Sequence, residues 1–184
     1  MIRTAIIAGQ GVLPVFLAAR LRAEGQDFLL AEMAGCPSDI PDMDRIRFRI
    51  ERLVPCLDHL VESGVGRVIF AGAMRRPLLE PELFDAKTAT LVPRLLGAMQ
   101  SGDDAALRDV IAIFEEWDIG VVGVDAVVPD LVPGPGVLAG TPSEADRNDT
   151  ARAADIVASL GVADIGQGAV VAQGLCLAVE TLPG

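Results

Sequence analysis

The chain reads as an α/β protein, a doubly wound, mostly parallel sheet followed by an incomplete second domain of α+β type. Three observations lead there. Two apolar, β-favouring runs, Thr4-Ala5-Ile6-Ile7-Ala8 and Val68-Ile69-Phe70-Ala71, end in glycine and pass into new segments; the first of these has helical apolar spacing, as buried parallel strands joined by helices require. Apolar residues make up 51% of the 184 positions and aromatics only 4%, so the core must be layered from Val, Ile, Leu and Ala. Pro129, Pro133, Gly134, Pro135 and Gly136 crowd one stretch, which places a boundary between residues 1–132 and 133–184.

The first strand runs into Gly9-Gln10-Gly11-Val12-Leu13-Pro14. A strand, a tight turn and a helix start in that order make an anion site, because the first backbone N–H groups of a helix lack internal partners and sit at the positive end of its dipole. Gly9, Gln10, Gly11 and Val12 are therefore candidates for holding a phosphate or diphosphate, and Pro14 fits a first turn that needs no N–H there. A dinucleotide fingerprint would want glycine where Pro14 stands and an acid ending the second strand, a place only Glu32 fills. The NAD reading is weakened accordingly.

The helix continues over residues 15–23 and is closed by Gly25, and a second strand spans 27–31. Residues 35–44, with Pro37, Pro41, Asp39, Asp42 and Asp44, form a solvated acidic loop whose spacing matches no calcium site. Residues 45–50 alternate arginine with apolar side chains, as an edge strand with its arginines in water would. An amphipathic helix follows over 53–63, with Pro55 in its first turn and Gly64 as its stop. His59, the single histidine, lies in that helix with no nucleophile signature nearby, which argues against a catalytic triad.

After Gly72 comes Ala73-Met74-Arg75-Arg76-Pro77. Ligands of parallel sheets gather outside the carboxyl ends of the strands, where strand order reverses, so Arg76 is the candidate to fork onto a phosphate. Leu78, Leu79, Leu83 and Phe84 could wall an apolar groove, and core is the preferred reading. Residues 88–100 have helical spacing interrupted by Pro93, and Asp103-Asp104 precede a further helix reaching about Trp117. One aspartate caps that helix; the other is a candidate for a sugar hydroxyl or a hydrated Mg²⁺. Residues 119–124 read as one more strand. Beyond the boundary, 143–160 is a charged helix, Gly166-Gln167-Gly168 is a flexible backbone able to approach a ligand, and a hairpin turns at Gln173-Gly174. A helix and one hairpin bury little core alone.

A formal net charge of -11 argues against nucleic acid or anionic lipid headgroups as unaided partners, since both need clustered Lys and Arg. Cys36, Cys56 and Cys176 are odd in number and form no C-x-x-C, which fits a reducing compartment. With no leader pattern and no long apolar run, the expectation is a soluble cytoplasmic protein.

Taken in order, Ile7-Ala8-Gly9-Gln10-Gly11-Val12-Leu13-Pro14, Phe70-Ala71-Gly72 with Arg76-Pro77, Gly102-Asp103-Asp104 with Leu107-Arg108, and Asp164-Ile165-Gly166-Gln167-Gly168 through Val171, Gly174 and Ala178-Val179-Glu180 resemble the LpxI-type UDP-2,3-diacylglucosamine pyrophosphatases of lipid A biosynthesis. The resemblance implies a Rossmann-like N-terminal domain and a C-terminal domain of different fold, with the lipid-sugar ligand between them. It implies Mg²⁺-dependent attack of water on the diphosphate, giving UMP and 2,3-diacylglucosamine 1-phosphate (lipid X), by a homodimer at the cytoplasmic side of the inner membrane of Gram-negative bacteria. The positions it carries over as substrate-binding are Gly9, Gln10, Gly11, Val12, Arg76, Asp103, Asp104, Gln167, Gly168 and Ala169. Gln10 stands where the family commonly has another glycine. The family's chain continues past the position of Gly184, and the catalytic and Mg²⁺-serving carboxylates are expected there. Two other readings stay open: a non-catalytic nucleotide-sugar-binding module and an NAD-dependent oxidoreductase.

Overall fold

The computed structural model describes all residues except Met1, Asp42, Arg76, Ser101, Gly102 and 182–184, and the side chains of Asp103 and Asp104 are likewise outside the description. The chain forms two compact units, Met1–Met99 with Asp109–Val132, and Gln100–Arg108 with Pro133–Gly184.

In the first unit, β1 (Arg3–Ala8), α1 (Val12–Ala23), β2 (Phe28–Met33), β3 (Ile46–Phe48), α2 (Leu53–Glu62), β4 (Val65–Ala71), α3 (Val92–Gln100), α4 (Asp103–Glu115) and β5 (Gly120–Val121) follow one another, although the first turns of α4 group with the second unit. The five strands pair in parallel in the order β3-β2-β1-β4-β5. Strand period two sends successive side chains of β1 to opposite faces. Ile6 and Ala8 join Leu17, Ala18 and Leu21 of α1 on one face, and Ala5 and Ile7 join Leu57 and Leu60 of α2 with Ile113 and Phe114 of α4 on the other. Ile6, Leu17, Leu57, Leu60 and Ile69 are wholly buried, each contributing about 1.5–3 kcal/mol by leaving water. Phe70 meets Phe114 edge to face at 5.3 Å.

The helix after β1 begins at Val12, three residues earlier than expected, directly after Gly11, whose φ of 100° ends the turn. The expected 88–100 helix divides into a 3-10 turn, Thr88–Leu91, and α3, with Pro93 in the first turn of α3. The expected strand over 119–124 shortens to β5. Val122 still donates to the Val68 carbonyl at 3.0 Å, but Gly123 then leads into a 3-10 turn at Val124–Ala126 that tucks Val127 and Val128 into the core on the α1 side. The arginines around β3 depart from the water-facing expectation: Arg45 pairs with Glu32 at 2.8 Å and Arg49 with Glu51 at 3.2 Å, leaving Arg47 exposed. Leu78 is not core, being 91% exposed, whereas Leu79, Leu83 and Phe84 are half-buried and Phe84 packs on the α2 side.

In the second unit, α5 (Glu144–Val162) starts with a capping box: Ser143 Oγ accepts from the Asp146 amide and the Asp146 carboxylate accepts from the Ser143 amide. The strands β6 (Ala169–Ala172) and β7 (Leu175–Val179) form an antiparallel hairpin. Gln173 at φ 53° and Gly174 at φ 76° give the left-handed pair that a two-residue hairpin turn demands. The Asp149 carboxylate of α5 accepts from both turn amides, at 2.8 and 2.7 Å. No described residue from 133 onward is buried.

Candidate functional site

β1 and β4 lie side by side, with Ala8 opposite Ala71, and strand order reverses between them, the place where parallel sheets open a ligand crevice. The turns that leave these strands are joined backbone to backbone. Gly9 donates to the Ala71 carbonyl at 2.7 Å, and Gln10 and Ala73 exchange a pair of N–H to carbonyl bonds at 2.9 Å each. Only glycine permits this. A Cβ on Gly9 would stand 2.4 Å from the Ala73 oxygen, and one on Gly72, itself at φ +89°, would stand 2.6 Å from the Gln10 oxygen and 2.8 Å from Pro14 Cγ.

This junction sorts the expected anion donors. The amides of Gly9 and Gln10 are engaged in it, so these two residues shape the turn. The amides of Gly11, Val12 and Leu13 have no partner among the described residues, and Pro14 has no N–H. Gly11 at φ 100° is the N-cap of α1, no side chain caps the helix, and its first turn carries no acid. Val12 is 85% exposed. Three amides without a described partner thus lie at the positive end of a twelve-residue helix, an arrangement that suits an anion.

The segment after Gly72 is fastened along the carboxyl edge of the sheet. Ala73 is held by Gln10, the Arg75 amide donates to Cys36 Sγ at 3.4 Å, and the Glu80 amide donates to Glu51 Oε1 at 2.9 Å. Glu51 is 2% exposed. Burial pushes its carboxyl up, but the amides of Glu80 and Glu51 and the Arg49 guanidinium outweigh burial and leave it below the ordinary carboxylate range. Beneath this segment lies a cleft of about 210 Å³ lined by residues of 33–36, 49–51, Arg75, Pro77 and Leu78. Arg75 is exposed, and beyond that amide bond to Cys36 its guanidinium has no partner among the described residues. Neither Arg75 nor Glu51 stood out in the sequence. The available signal for Glu51 was an acid between two arginines at the start of an apolar helix.

Glu32 is withdrawn from any ribose. It is 2% exposed, accepts from the Ser38 amide and hydroxyl at 3.1 and 2.5 Å, and pairs with Arg45. Its position fits the dinucleotide pattern; its hydrogen bonds do not. His59 is exposed on α2. Cys56 is buried, which pushes its thiol up to about 12, as desolvation of a thiolate requires.

Arg76 lies outside the described residues. Asp103 and Asp104 are the first two residues of α4, with their side chains outside the description. In the second unit, Gln167 is exposed and Gly168 and Ala169 are half-buried. The glycines flanking Gln167 allow close backbone approach: a Cβ on Gly166 would stand 1.7 Å from the Glu180 oxygen, and Glu180 donates to the Gly168 carbonyl at 2.8 Å. Among the described residues no three His, Cys, Asp or Glu side chains converge as a metal site, and no helix is long and apolar enough to cross a membrane.

Residues 3–131 match the family model for the LpxI N-terminal domain, and residues 134–184 match that for the LpxI C-terminal domain. The chain is 34% identical, over 188 aligned positions and its whole length, to the UDP-2,3-diacylglucosamine pyrophosphatase LpxI of Caulobacter vibrioides, and it spans 66% of that relative's length.

Proposed function

The chain belongs to the LpxI family, and from that premise we propose that it binds UDP-2,3-diacylglucosamine and serves hydrolysis of its diphosphate to UMP and lipid X, within lipid A synthesis. The observation that carries the binding part is the junction of the two glycine turns, which leaves the amides of Gly11, Val12 and Leu13 open where strand order reverses. A diphosphate placed there is held by backbone donors that need no reorganisation as charge redistributes during cleavage. Arg76, one residue beyond Arg75, adds a bidentate cation in this reading; Asp103, Asp104, Gln167, Gly168 and Ala169, all in the second unit, are kept as substrate-binding candidates for substitution to test.

Magnesium belongs to the same proposal. It would supply charge neutralisation at the diphosphate. The described residues present no converging group of three His, Cys, Asp or Glu side chains to hold it. We further propose work in the cytoplasm at the inner face of the inner membrane, where a diacylated substrate would partition into lipid, and, on the resemblance alone, as a homodimer.

The test is UMP release from UDP-2,3-diacylglucosamine with and without Mg²⁺, by this chain and by a version extended with the remaining third of the Caulobacter relative, alongside calorimetric binding. Binding by this chain with turnover in the extended protein supports the proposal. Binding without turnover in either favours a nucleotide-sugar-binding module, and absence of binding by folded protein removes the reading.

A further inference from the structure

We propose that Glu51 is a positioning residue for the ligand, holding the Ala73–Glu80 segment so that the Arg75 guanidinium is presented to the diphosphate; this rests on the reading that the chain binds a diphosphate-linked nucleotide sugar. The segment does not place itself. Its described residues from Met74 to Glu80 belong to no helix or strand, so its position is set by the groups that its backbone reaches. At the near end Ala73 exchanges bonds with Gln10, and the Arg75 amide reaches Cys36 Sγ. The far end is held by Glu51. Its Oε1 accepts from the Glu80 amide at 2.9 Å, and its main-chain carbonyl accepts from the Asp85 amide at 3.3 Å. Arg49 closes the clamp, donating from Nε to Oε2 of Glu51 at 3.2 Å and pairing through its terminal nitrogen with the Glu80 carboxylate. At 2% exposure a carboxylate without these partners would be costly to bury, so the clamp holds firmly.

The same arrangement leaves Arg75 available. Asp and Glu outnumber Lys and Arg by 26 to 15 in this chain, and Arg3, Arg20, Arg45, Arg49 and Arg94 are each ion-paired. Arg75 is not. Glu51 is the one acid among the described residues that line its cleft, and the two oxygens of Glu51 are taken by the Glu80 amide and by Arg49. An exposed guanidinium whose neighbouring acid is already satisfied suits an anion from outside, which it can take through two parallel N–H bonds. Arg75 stands two residues beyond Ala73, whose bonds to Gln10 tie the segment to the turn that precedes the Gly11, Val12 and Leu13 amides. Cation and amides therefore sit on one connected stretch of backbone.

The experiment is calorimetric titration of the 184-residue chain with UDP-2,3-diacylglucosamine, for wild type, Glu51→Gln, Arg75→Ala and the double variant. A carboxamide can accept from the Glu80 amide or from Arg49 but not from both, because one of its terminal atoms is a donor. Loss of a negative charge beside an anion site would by itself tighten binding; the positioning role has the opposite sign. Glu51→Gln is expected to weaken binding about tenfold, the scale of one charged hydrogen bond to the ligand. Arg75→Ala is expected to lose at least as much, and Glu51→Gln to add less than about twofold once Arg75 is gone, the non-additivity of residues that act through one another. Glu80→Pro removes the clamped amide from an exposed residue and carries the same expectations should Glu51→Gln not fold. Unchanged or tighter binding by the folded variant, or a loss as large in the Arg75→Ala chain as in wild type, overturns the positioning role and leaves the binding reading standing. Absence of binding by folded wild type overturns both.

Discussion

Gly9 and Gly72 touch backbone to backbone: a Cβ on Gly72 would stand 2.9 Å from the carbonyl carbon of Gly9. The contact explains why both strand-ending turns carry glycine, and it makes the junction brittle to substitution. Gly72→Ala meets a left-handed φ as well as the Gln10 oxygen and Pro14, and Gly9→Ala meets the Ala73 oxygen. Each is expected to cost about 1–3 kcal/mol or more, read as a lower urea midpoint. Wild-type midpoints in both variants would show that the turns separate freely.

Val12→Pro tests the open amides with little structural disturbance. Val12 is the first residue of α1 and 85% exposed, a position where proline is well tolerated. The substitution removes one donor, and the affinity for UDP is expected to fall about three- to tenfold, as loss of one hydrogen bond of about 0.5–1.5 kcal/mol predicts, at unchanged thermal midpoint. Undiminished affinity would take the Val12 amide out of the site.

Glu51 makes the fastened segment sensitive to acid. Its folded carboxyl is depressed, so the stability it contributes is present above its unfolded pKa of about 4.3 and is lost as pH falls through the lower folded value. Glu51→Gln is expected to cost about 1–3 kcal/mol at neutral pH and to flatten the decline of stability below about pH 5. Parallel wild-type and variant curves in a series of urea titrations would refute the assignment.

Thr88 caps a helix from outside it. Its buried hydroxyl accepts from the Val54 amide in the first turn of α2 at 3.0 Å and donates to Asp85 at 2.6 Å, while α2 has no side-chain cap of its own. Thr88→Val is expected to cost about 1–2 kcal/mol and Thr88→Ser much less, by chemical denaturation. Equal losses for Val and Ser would mean that methyl packing, and not the cap, matters there.

In the second unit, Asp149 holds the hairpin turn through two amides. Asp149→Ala is expected to speed hydrogen exchange at Gln173 and Gly174 by roughly tenfold or more, the effect of about 1–3 kcal/mol of local stability, without moving exchange in β1 and β4. Unchanged turn amides would show that the φ-positive pair sustains the turn by itself.

Strand, helix and hairpin order were legible in the residues because they rest on local rules. Apolar runs ending at Gly9 and Gly72, helical spacing around Leu57 and Leu60, and Gln173-Gly174 between β-favouring runs each encode one conformation over a few neighbours. The site was half legible. The passage from glycine turn to helix was plain, although the helix starts at Val12 and not at the expected residue 15; which amides stay open was not legible, since the engagement of Gly9 and Gln10 comes from Ala71 and Ala73 on the far side of two crossover helices. Glu32 failed for the same reason: its place at a strand end was correct, and Ser38 and Arg45 close on it only when the loop after β2 folds back.

The sequence by itself determined the fold class, the two glycine turns and the family, because hydrophobic period, turn chemistry and ordered motifs are properties of neighbouring residues. Only the tertiary structure decided that Leu78 stands at a cleft instead of in the core, that Arg45 and Arg49 are paired, and that Glu51 fastens the segment carrying Arg75. The physical reason is that exposure and ion pairing depend on which distant surfaces meet, and a parallel sheet brings together strand ends separated by whole crossover helices.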